Sequence, residues 1–350
     1  MYSQNNAPGF TSLVLAWYQQ YKRDLPWRHT RHPYPIWLSE VILQQTRVKQ
    51  GLPYYEKFIA AFPDVFALAQ ASEEEVLRHW QGLGYYSRAR NMHKAAKTIV
   101  ELHRGVFPNT YAGLLRLKGV GKYTAAAIAS FAFDEPVAVL DGNVFRVLAR
   151  YFGVDDNIAR PAGVKKFEQL AQSLLPESRA GEYNQAIMEF GALQCSPQKP
   201  NCLYCPLQEN CYAYQYGKTG SLPVKQKSKS LRTRYFDYLV LFQDQKLALR
   251  ARPGGDIWQG LYEFYLIEQA HSFEDGQLPP VPAPGQVMGL AGPVYKHVLT
   301  HQQLFVRFWR INWPKLVNLP ANGMKFYTYE EIQRLPKPIL IQKYLENHFF

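Results

Sequence analysis

Residues 114–131 read Leu-Leu-Arg-Leu-Lys-Gly-Val-Gly-Lys-Tyr-Thr-Ala-Ala-Ala-Ile-Ala-Ser-Phe, and Leu140-Asp141-Gly142-Asn143-Val144 follows shortly after. Gly119 and Gly121 bracket one apolar residue, Val120, between an apolar helical stretch and an Ala-rich helix from Tyr123. A Gly-x-Gly turn placed there bares backbone N–H groups at the second helix's N-terminus, where the dipole favours an anion. Glycine lets the backbone approach that anion with no Cβ in the way. This is the pattern of a helix-hairpin-helix, which grips a nucleic-acid phosphate without reading sequence. Gly119, Val120, Gly121 and Lys122 are then the phosphate contacts. Taken alone, the tripeptide also fits an ordinary loop between two core helices, so the rest of the chain has to decide.

The 350 residues are 47% hydrophobic, enough for two or three domains with real cores. The formal net charge of +12 favours a polyanionic partner. No apolar run approaches the ~20 residues that span a bilayer, and residues 1–10 lack the charged and apolar regions of a signal peptide. A cytoplasmic, nucleoid-associated protein with no membrane partner is expected. All four cysteines lie between Cys195 and Cys211, as C-x6-C-x2-C-x5-C through Cys202 and Cys205. Disulfides are disfavoured in a reducing compartment, so the thiols point to a metal centre. Zinc sites usually present two separated C-x2-C knuckles. Four thiolates in one continuous loop suit a 4Fe-4S cluster better, with zinc as the alternative. Lys199, in the loop after Cys195, is placed for a phosphate contact.

Residues 10–216 read as helices throughout. Leu13, Leu15, Trp17, Tyr18 and Tyr21 fit one helix, ended by Leu25-Pro26-Trp27. Ser39 is the expected N-cap of a helix carrying Val41, Ile42, Leu43 and Val48. Ser72 with Glu75 makes a capping box. Ser87–His103 is a further helix, and others follow near 144–152, 164–175 and 182–193. Gly217 to Arg234 carries six Lys and Arg and no acid; it reads as an exposed basic linker or a strap along a polyanion. Beyond it, 235–242 and 247–252 are strands, Leu304 to Arg310 alternates with period two, 277–286 is a Pro-rich loop, and 339–348 is a helix. The C-terminal third is a separate α+β domain.

The hairpin, the following Asp141 and the cysteine spacing together resemble the endonuclease III superfamily of DNA glycosylases. Leu-Ser-Glu-Val-Ile-Leu-Gln-Gln-Thr (38–46), Gly-Leu-Gly-Tyr-Tyr-Ser-Arg-Ala-Arg-Asn (82–91) and Leu-Asp-Gly-Asn-Val (140–144) resemble its MutY branch, the adenine DNA glycosylases. The resemblance runs over about residues 10–350 and implies an all-α helix-hairpin-helix glycosylase with a 4Fe-4S cluster loop, joined to an α+β MutT-like domain. The implied division is a helical region 1–216, a linker 217–234 and a lesion-recognition domain 235–350. Within the first, a six-helix subdomain covers about 30–135, and the N-terminal helix joins about 136–216 as the cluster subdomain.

In this superfamily, enzymes that also cut the strand carry a lysine where Tyr123 stands, and its amine forms a Schiff base with the sugar. A phenol forms no imine, so the expectation is base removal with the strand left intact. Breaking the N-glycosidic bond passes through an oxocarbenium-like sugar and calls for two carboxyl groups in different environments. Glu40, among Ile36, Trp37, Leu38 and Val41, is the expected acid, its pKa raised by apolar surroundings. Placed in a first helical turn, it would have the dipole against it; read alone, it is an ordinary helix-start acid. Asp141 is the second carboxylate, by itself equally an N-cap or Asx-turn. By resemblance it stabilises the oxocarbenium by charge or a transient covalent bond, and Asn143 helps place water or sugar.

A flipped-out base leaves a hole to fill. Gln44, Gln45 and Thr46 follow Glu40, with Gln44 expected on Glu40's helical face. Gly84-Tyr85-Tyr86 suits Tyr85 to wedging beside the opposite base, or to a core pair. The resemblance places Trp27, Arg28 and Glu189 in the adenine pocket. Asp256 to Phe264 is the recognisable core of the MutT-like domain, but no R-E-x-x-E-E magnesium helix follows before Gly289, so a reader is expected in place of a hydrolase. The family's Phe-Ser-His reading loop corresponds to Leu299-Thr300-His301; threonine keeps the hydroxyl, and the Phe is lost. The implied partner is double-stranded DNA with A:8-oxoguanine or A:G mispairs, bound by a monomer. A glycosylase-lyase of the endonuclease III type and a non-catalytic iron–sulfur DNA-binding protein are the competing readings.

Overall fold

The structure is a computed structural model that describes residues 7–226, 231–273, 278–282, 286–315, 317–321 and 323–349. It divides into two compact units: Met1–Gln70 with Asn91–Lys227, and Ala71–Arg90 with Ser228–Phe350. Among the described residues no helix is long and apolar enough to cross a membrane.

The first unit is helical. In chain order the helices are α1 (Ala7–Tyr21), α2 (Pro33–Leu43), α3 (Val48–Ala61), α4 (Val65–Gln70), α5 (Glu73–Trp80, grouped with the second unit), α6 (Ser87–His103), α7 (Tyr111–Leu114), α8 (Lys122–Phe133), α9 (Gly142–Phe152), α10 (Pro161–Ser173), α11 (Ala180–Leu193) and α12 (Tyr212–Gln215). Phe10, Val14 and Trp17 of α1 share a core with Val147 and Leu148 of α9, Phe167 of α10 and Phe190 of α11. Each such side chain contributes about 1.5–3 kcal/mol by leaving water. In α8, residues Ala125 to Ala129 are all buried, and small side chains let α2 and α11 pack closely on either side. At Gly191 of α11 a Cβ would lie 2.9 Å from the Asn143 carbonyl oxygen. That glycine sets how near α11 comes to the start of α9.

Helix α2 departs from the expectation. Pro33 starts it, His32 is its N-cap, and Pro35 sits in the first turn, where backbone N–H groups have no helical partner. Ser39 is therefore mid-helix and buried, its Oγ donating to the Ile36 carbonyl at 2.7 Å. The helix ends at Leu43; Gln44 has φ −54° and ψ 113°, and Gln45 has φ 57°. Glu40 lies in the last turn, not the first, and Val48 begins α3. Ser72, by contrast, caps α5 as expected, accepting from Glu75 N at 3.1 Å.

The second unit is a mixed sheet. Its strands are β1 (Arg232–Gln243), β2 (Lys246–Ala251), β3 (Tyr262–Glu263), β4 (Tyr265–Gln269), β5 (Gln286–Leu290), β6 (Tyr295–Val298), β7 (Gln302–Asn312) and β8 (Lys325–Tyr327), followed by α13 (Tyr329–Arg334) and α14 (Ile339–His348). The order is β3-β2-β1-β7-β5, with β4 on β1, β6 on β7 and β8 on β2. The β1–β7 pair is parallel, with Asp237 opposite Arg307. Leu239, Leu241, Trp309 and Ile311 form one core, and Tyr344 of α14 stacks on Phe308 at 3.9 Å. Between β4 and β5 none of the described residues is helical.

Two expected boundaries shift. Residues 71–90 belong with the sheet, not with a six-helix subdomain: Tyr262 Oη donates to Glu74 Oε2 at 2.9 Å, Lys337 N to Gln81 Oε1 at 3.1 Å, and Arg90 Nη1 to the Gln259 carbonyl at 2.7 Å. The basic linker is shorter than 217–234. Leu222 is buried in the helical core, and Ile158 N donates to the Val224 carbonyl at 3.1 Å. Arg234 is buried in β1, paired with Asp256 and Glu268. Apolar residues at one end and strand alternation at the other outweigh the local charge density. Lys227 and Lys229, and residues 277 and 283–285 of the Pro-rich 277–286 loop, lie outside the described residues.

Candidate active site

Glu40 is buried, and Tyr123 Oη donates to its Oε2 at 2.5 Å. Burial pushes the Glu40 carboxyl up to about 7, against the Tyr123 hydrogen bond, with the nearby Asp141 charge adding to the rise. Its place in the last turn of α2 matters, because the negative end of the helix dipole disfavours the ionised carboxylate. The dipole thus assists the acid form instead of opposing it. Burial with Glu40 and Asp141 nearby also raises the Tyr123 phenol well above its ordinary value, so it stays a donor.

Asp141 is the N-cap of α9 and lines the same cavity as Glu40. Oδ1 accepts from Asn143 N at 2.8 Å and Val144 N at 2.7 Å, and Oδ2 from Asn143 Nδ2 at 2.7 Å. Burial raises its pKa, and these bonds with the Arg146 charge oppose the rise. The Arg146 Nη2 donates to Asn143 Oδ1 at 2.8 Å and the Gly191 carbonyl at 2.7 Å, and its Nε to the Cys195 carbonyl at 2.7 Å. One guanidinium therefore ties the Asp141–Asn143 turn to the start of the cysteine loop.

Glu40, Tyr123, Asp141 and Asn143 line one cavity of about 600 Å³ together with Trp27, Arg28, Thr46 and Glu189. Trp27 is buried edge-on against Tyr55. Glu189 is held by Arg23 and Arg28; burial alone would raise its pKa, but the two arginines outweigh it and keep the carboxylate at about 2. Arg23, Arg47, Lys49 and Met188 also line the cavity and escaped the sequence reading. Nothing in local spacing marks them, although Arg47 and Lys49 sit just past the quoted 38–46 stretch.

The hairpin borders an adjoining groove of about 570 Å³ with Gln44, Gln45, Gly119, Gly121, Lys122, Tyr123 and Asp141. Gln44 is not on Glu40's helical face; past the helix end, its Nε2 donates to Thr124 Oγ1 at 3.0 Å. Gln45 is exposed, with the left-handed φ given above. The two glycines differ. Gly119 has φ 79° and a Cβ would lie 2.5 Å from Asn91 Cβ, whereas Gly121 faces open space. Gly121 caps α8 with no side-chain hydrogen bond, so the following N–H groups are available to an anion. Val120 is buried and offers only backbone. Lys122 Nζ pairs with Glu168 at 2.9 Å and lines the groove without lining the cavity that holds Glu40.

The four cysteines form no disulfide, and each is half-buried. Arg150 Nη1 lies 3.4 Å from Cys195 Sγ, and Cys211 Sγ lies 3.6 Å from the Arg150 carbonyl. Cys195, Cys205 and Cys211 pack against one core. Among the described residues no three His, Cys, Asp or Glu side chains gather closely enough for a single ion. Cys202, Cys205 and Cys211 all feel the Cys195 thiolate charge, so the four thiols of this one loop lie within electrostatic reach of one another, a donor set of the kind a cluster would take. Lys199 is exposed with φ 51°.

In the second unit, Tyr85 and Thr300 meet through their hydroxyls. They line a cavity of about 550 Å³ with Arg90, Asp256, Trp258, Leu299 and His301. Leu299 N donates to the Gln302 carbonyl at 2.8 Å, so the turn between β6 and β7 closes without the family's Phe. Tyr85 is 40% exposed with φ 48°, which rules out the core-pair reading for it; Tyr86 is buried.

A helix-hairpin-helix beside a buried acid and a capping aspartate defines the class, a base-excision DNA glycosylase. Residues 38–177 match the HhH-GPD superfamily of base excision DNA repair proteins, and residues 237–347 match the NUDIX domain. The chain is similar to the adenine DNA glycosylase of Buchnera aphidicola subsp. Acyrthosiphon pisum (strain APS), 36% identical over 256 residues, 73% of each chain. It is also similar to the mouse adenine DNA glycosylase, 45% identical over 222 residues, 61% of this chain and 43% of that one. A solved thermostable thymine-DNA glycosylase superposes with a TM-score of 0.57 at 30% identity, over 61% of this chain and 99% of that one. The chain belongs to the adenine DNA glycosylase family.

Proposed function

We propose that this enzyme hydrolyses the N-glycosidic bond of adenine mispaired with 8-oxoguanine, and with guanine, and leaves the strand intact. The observation that carries the reading is the Tyr123–Glu40 hydrogen bond of 2.5 Å inside a cavity that also holds Asp141. Glu40, protonated near neutral pH, donates its proton to adenine N7 as the bond lengthens. Asp141, anchored by three hydrogen bonds, presents negative charge to the oxocarbenium-like sugar. Asn143 fixes that carboxylate and helps place the attacking water. Tyr123 stands where a lyase would carry its amine, and Lys122 is drawn to Glu168. Glu189, Trp27 and Arg28 receive the base. Gly121 and the α8 N-terminus bind a phosphate.

Cys195, Cys202, Cys205 and Cys211 hold a 4Fe-4S cluster, whose role here is to brace the loop that presents Lys199 to DNA. Thr300 and Tyr85 read the opposite base, with the hydroxyl of Thr300 available to the lesion. The enzyme works as a monomer on nucleoid DNA in the cytoplasm. The test is a duplex with one A:8-oxoguanine pair, incubated with and without alkali. Strand breaks without alkali defeat the monofunctional reading, and no breaks even after alkali defeat the activity.

A further inference from the structure

The carboxylate of Glu189 is saturated. Oε1 accepts from Arg23 N at 3.0 Å, Arg23 Nε at 2.7 Å and Arg28 Nη1 at 3.0 Å; Oε2 accepts from Arg23 Nη2 at 2.5 Å and Arg28 Nη2 at 2.8 Å. A carboxylate offers about four lone-pair sites, so these donors leave no acceptor for a bound base. A donor has to leave before Glu189 can accept from the exocyclic amine of a flipped adenine.

The two arginines are not equally fixed. Arg28 Nη1 also donates to the Arg23 carbonyl at 2.9 Å, and its guanidinium lies 5.5 Å from the Tyr18 ring centroid. Among the described residues Arg23's guanidinium bonds only to Glu189. The Arg23 side chain is 35% exposed, against 13% for Arg28, so it can swing into water while Arg28 still pairs with the buried Glu189 carboxylate. Stranding Arg28 would carry a desolvation penalty that Arg23 escapes.

We propose that Arg23 is a displaceable latch on Glu189 that makes admission of the flipped base conditional on a hydrogen-bond donor at purine position 6. Adenine's 6-amine replaces the Arg23 donors on the carboxylate. A purine with hydrogen at that position has no donor to replace Arg23, so it is held with the latch closed, short of the productive position, and a 6-carbonyl places an acceptor against an acceptor. Discrimination thus arises partly from what the base must displace, beyond what it contacts. Arg23 is a positioning residue in this scheme, acting through Glu189. The inference rests on the reading above that Glu189 faces the base.

The test compares single-turnover base release from G-opposed duplexes carrying either adenine or unsubstituted purine at the target. Saturating rate and half-saturating enzyme concentration are read separately for wild type, Arg23→Ala, Arg23→Lys and Glu189→Gln. Comparing ratios between proteins cancels the intrinsic lability of each base and any loss of folded enzyme. The expected result for Arg23→Ala is a fall of about tenfold in the adenine-over-purine preference, the scale of one charge-assisted hydrogen bond. It appears in the saturating rate for unsubstituted purine more than in the half-saturating concentration, with partial restoration in Arg23→Lys. An unchanged preference in Arg23→Ala, alongside an altered one in Glu189→Gln, overturns the latch and leaves the Glu189 reading standing. An unchanged preference in both removes Glu189 from the base pocket and the latch with it.

Discussion

Replacing Glu40 by glutamine separates what this residue does for catalysis from what it does to the fold. The folded carboxyl titrates at about 7 against an ordinary 4.5. At about 1.4 kcal/mol per tenfold in proton affinity, that interval amounts to about 3 kcal/mol. The sign follows from where the proton resides. Below pH 4.5 folded and unfolded chains both hold it, and Glu40 contributes no pH dependence. Between pH 4.5 and 7 the unfolded chain releases its proton and the folded chain does not, so stability falls as pH rises. Above pH 7 the loss is complete. Glutamine does not titrate and can still accept from Tyr123. The stability of Glu40→Gln relative to wild type should therefore rise by about 2.5 kcal/mol between pH 5 and pH 8. In a helical unit of this size that is about 5–10 °C in melting temperature. Paired thermal melts at the two pH values, followed by far-UV circular dichroism, measure it. In the same protein base release should vanish while duplex binding persists, and wild-type turnover should decline as pH rises through about 7. Parallel pH dependence of the two melts would refute the raised pKa, and retained turnover would remove Glu40 as the acid.

Asp141→Asn keeps an oxygen for the α9 cap but loses the charge facing the sugar. Base release should fall by about 10²–10³ with a stability change within about 1 kcal/mol, so a large drop in melting temperature would recast Asp141 as structural. Gly119→Ala and Gly121→Ala should behave oppositely. The first meets Asn91 at a left-handed φ and should destabilise by at least about 1 kcal/mol. The second should fold normally and bind duplexes more weakly, uniformly across sequences and with a reduced salt slope; equal effects on melting temperature would contradict the division of labour. The protein purified anaerobically should contain about four iron and four acid-labile sulfide per chain, lost together in Cys202→Ser; stoichiometric zinc with no sulfide would overturn the cluster assignment.

The motif-bearing parts are legible from neighbouring residues alone. The Gly-x-Gly turn, the C-x6-C-x2-C-x5-C spacing and the N-cap at Ser72 are local patterns, and at Ser72 local backbone chemistry carries the cap into structure through its bond from Glu75 N. A strand does form where Leu304 to Arg310 alternates, but Arg307 and Trp309 on its other face are buried as well and Arg310 is exposed, so the alternation does not mark one buried face and one open one. The setting of Glu40 is not legible locally, since Ser39 looks like an N-cap only until Pro33 and Pro35 occupy the first turn ahead of it. That shift moves Glu40 to the dipole's negative end and takes Gln44 off its face. The glycine spacing could not say that Gly119 serves the fold while Gly121 is left open, because the distinction lies in Asn91 on another helix. Nor could composition reveal that Arg234 is buried between two acids, or that Arg23 and Arg28 converge on Glu189 from the far end of the chain. Those depend on side chains distant in sequence meeting in space, where desolvation and charge pairing set each group's protonation. It is these tertiary contacts that raise the Glu40 carboxyl above its ordinary pKa and hold the Glu189 carboxyl below its own.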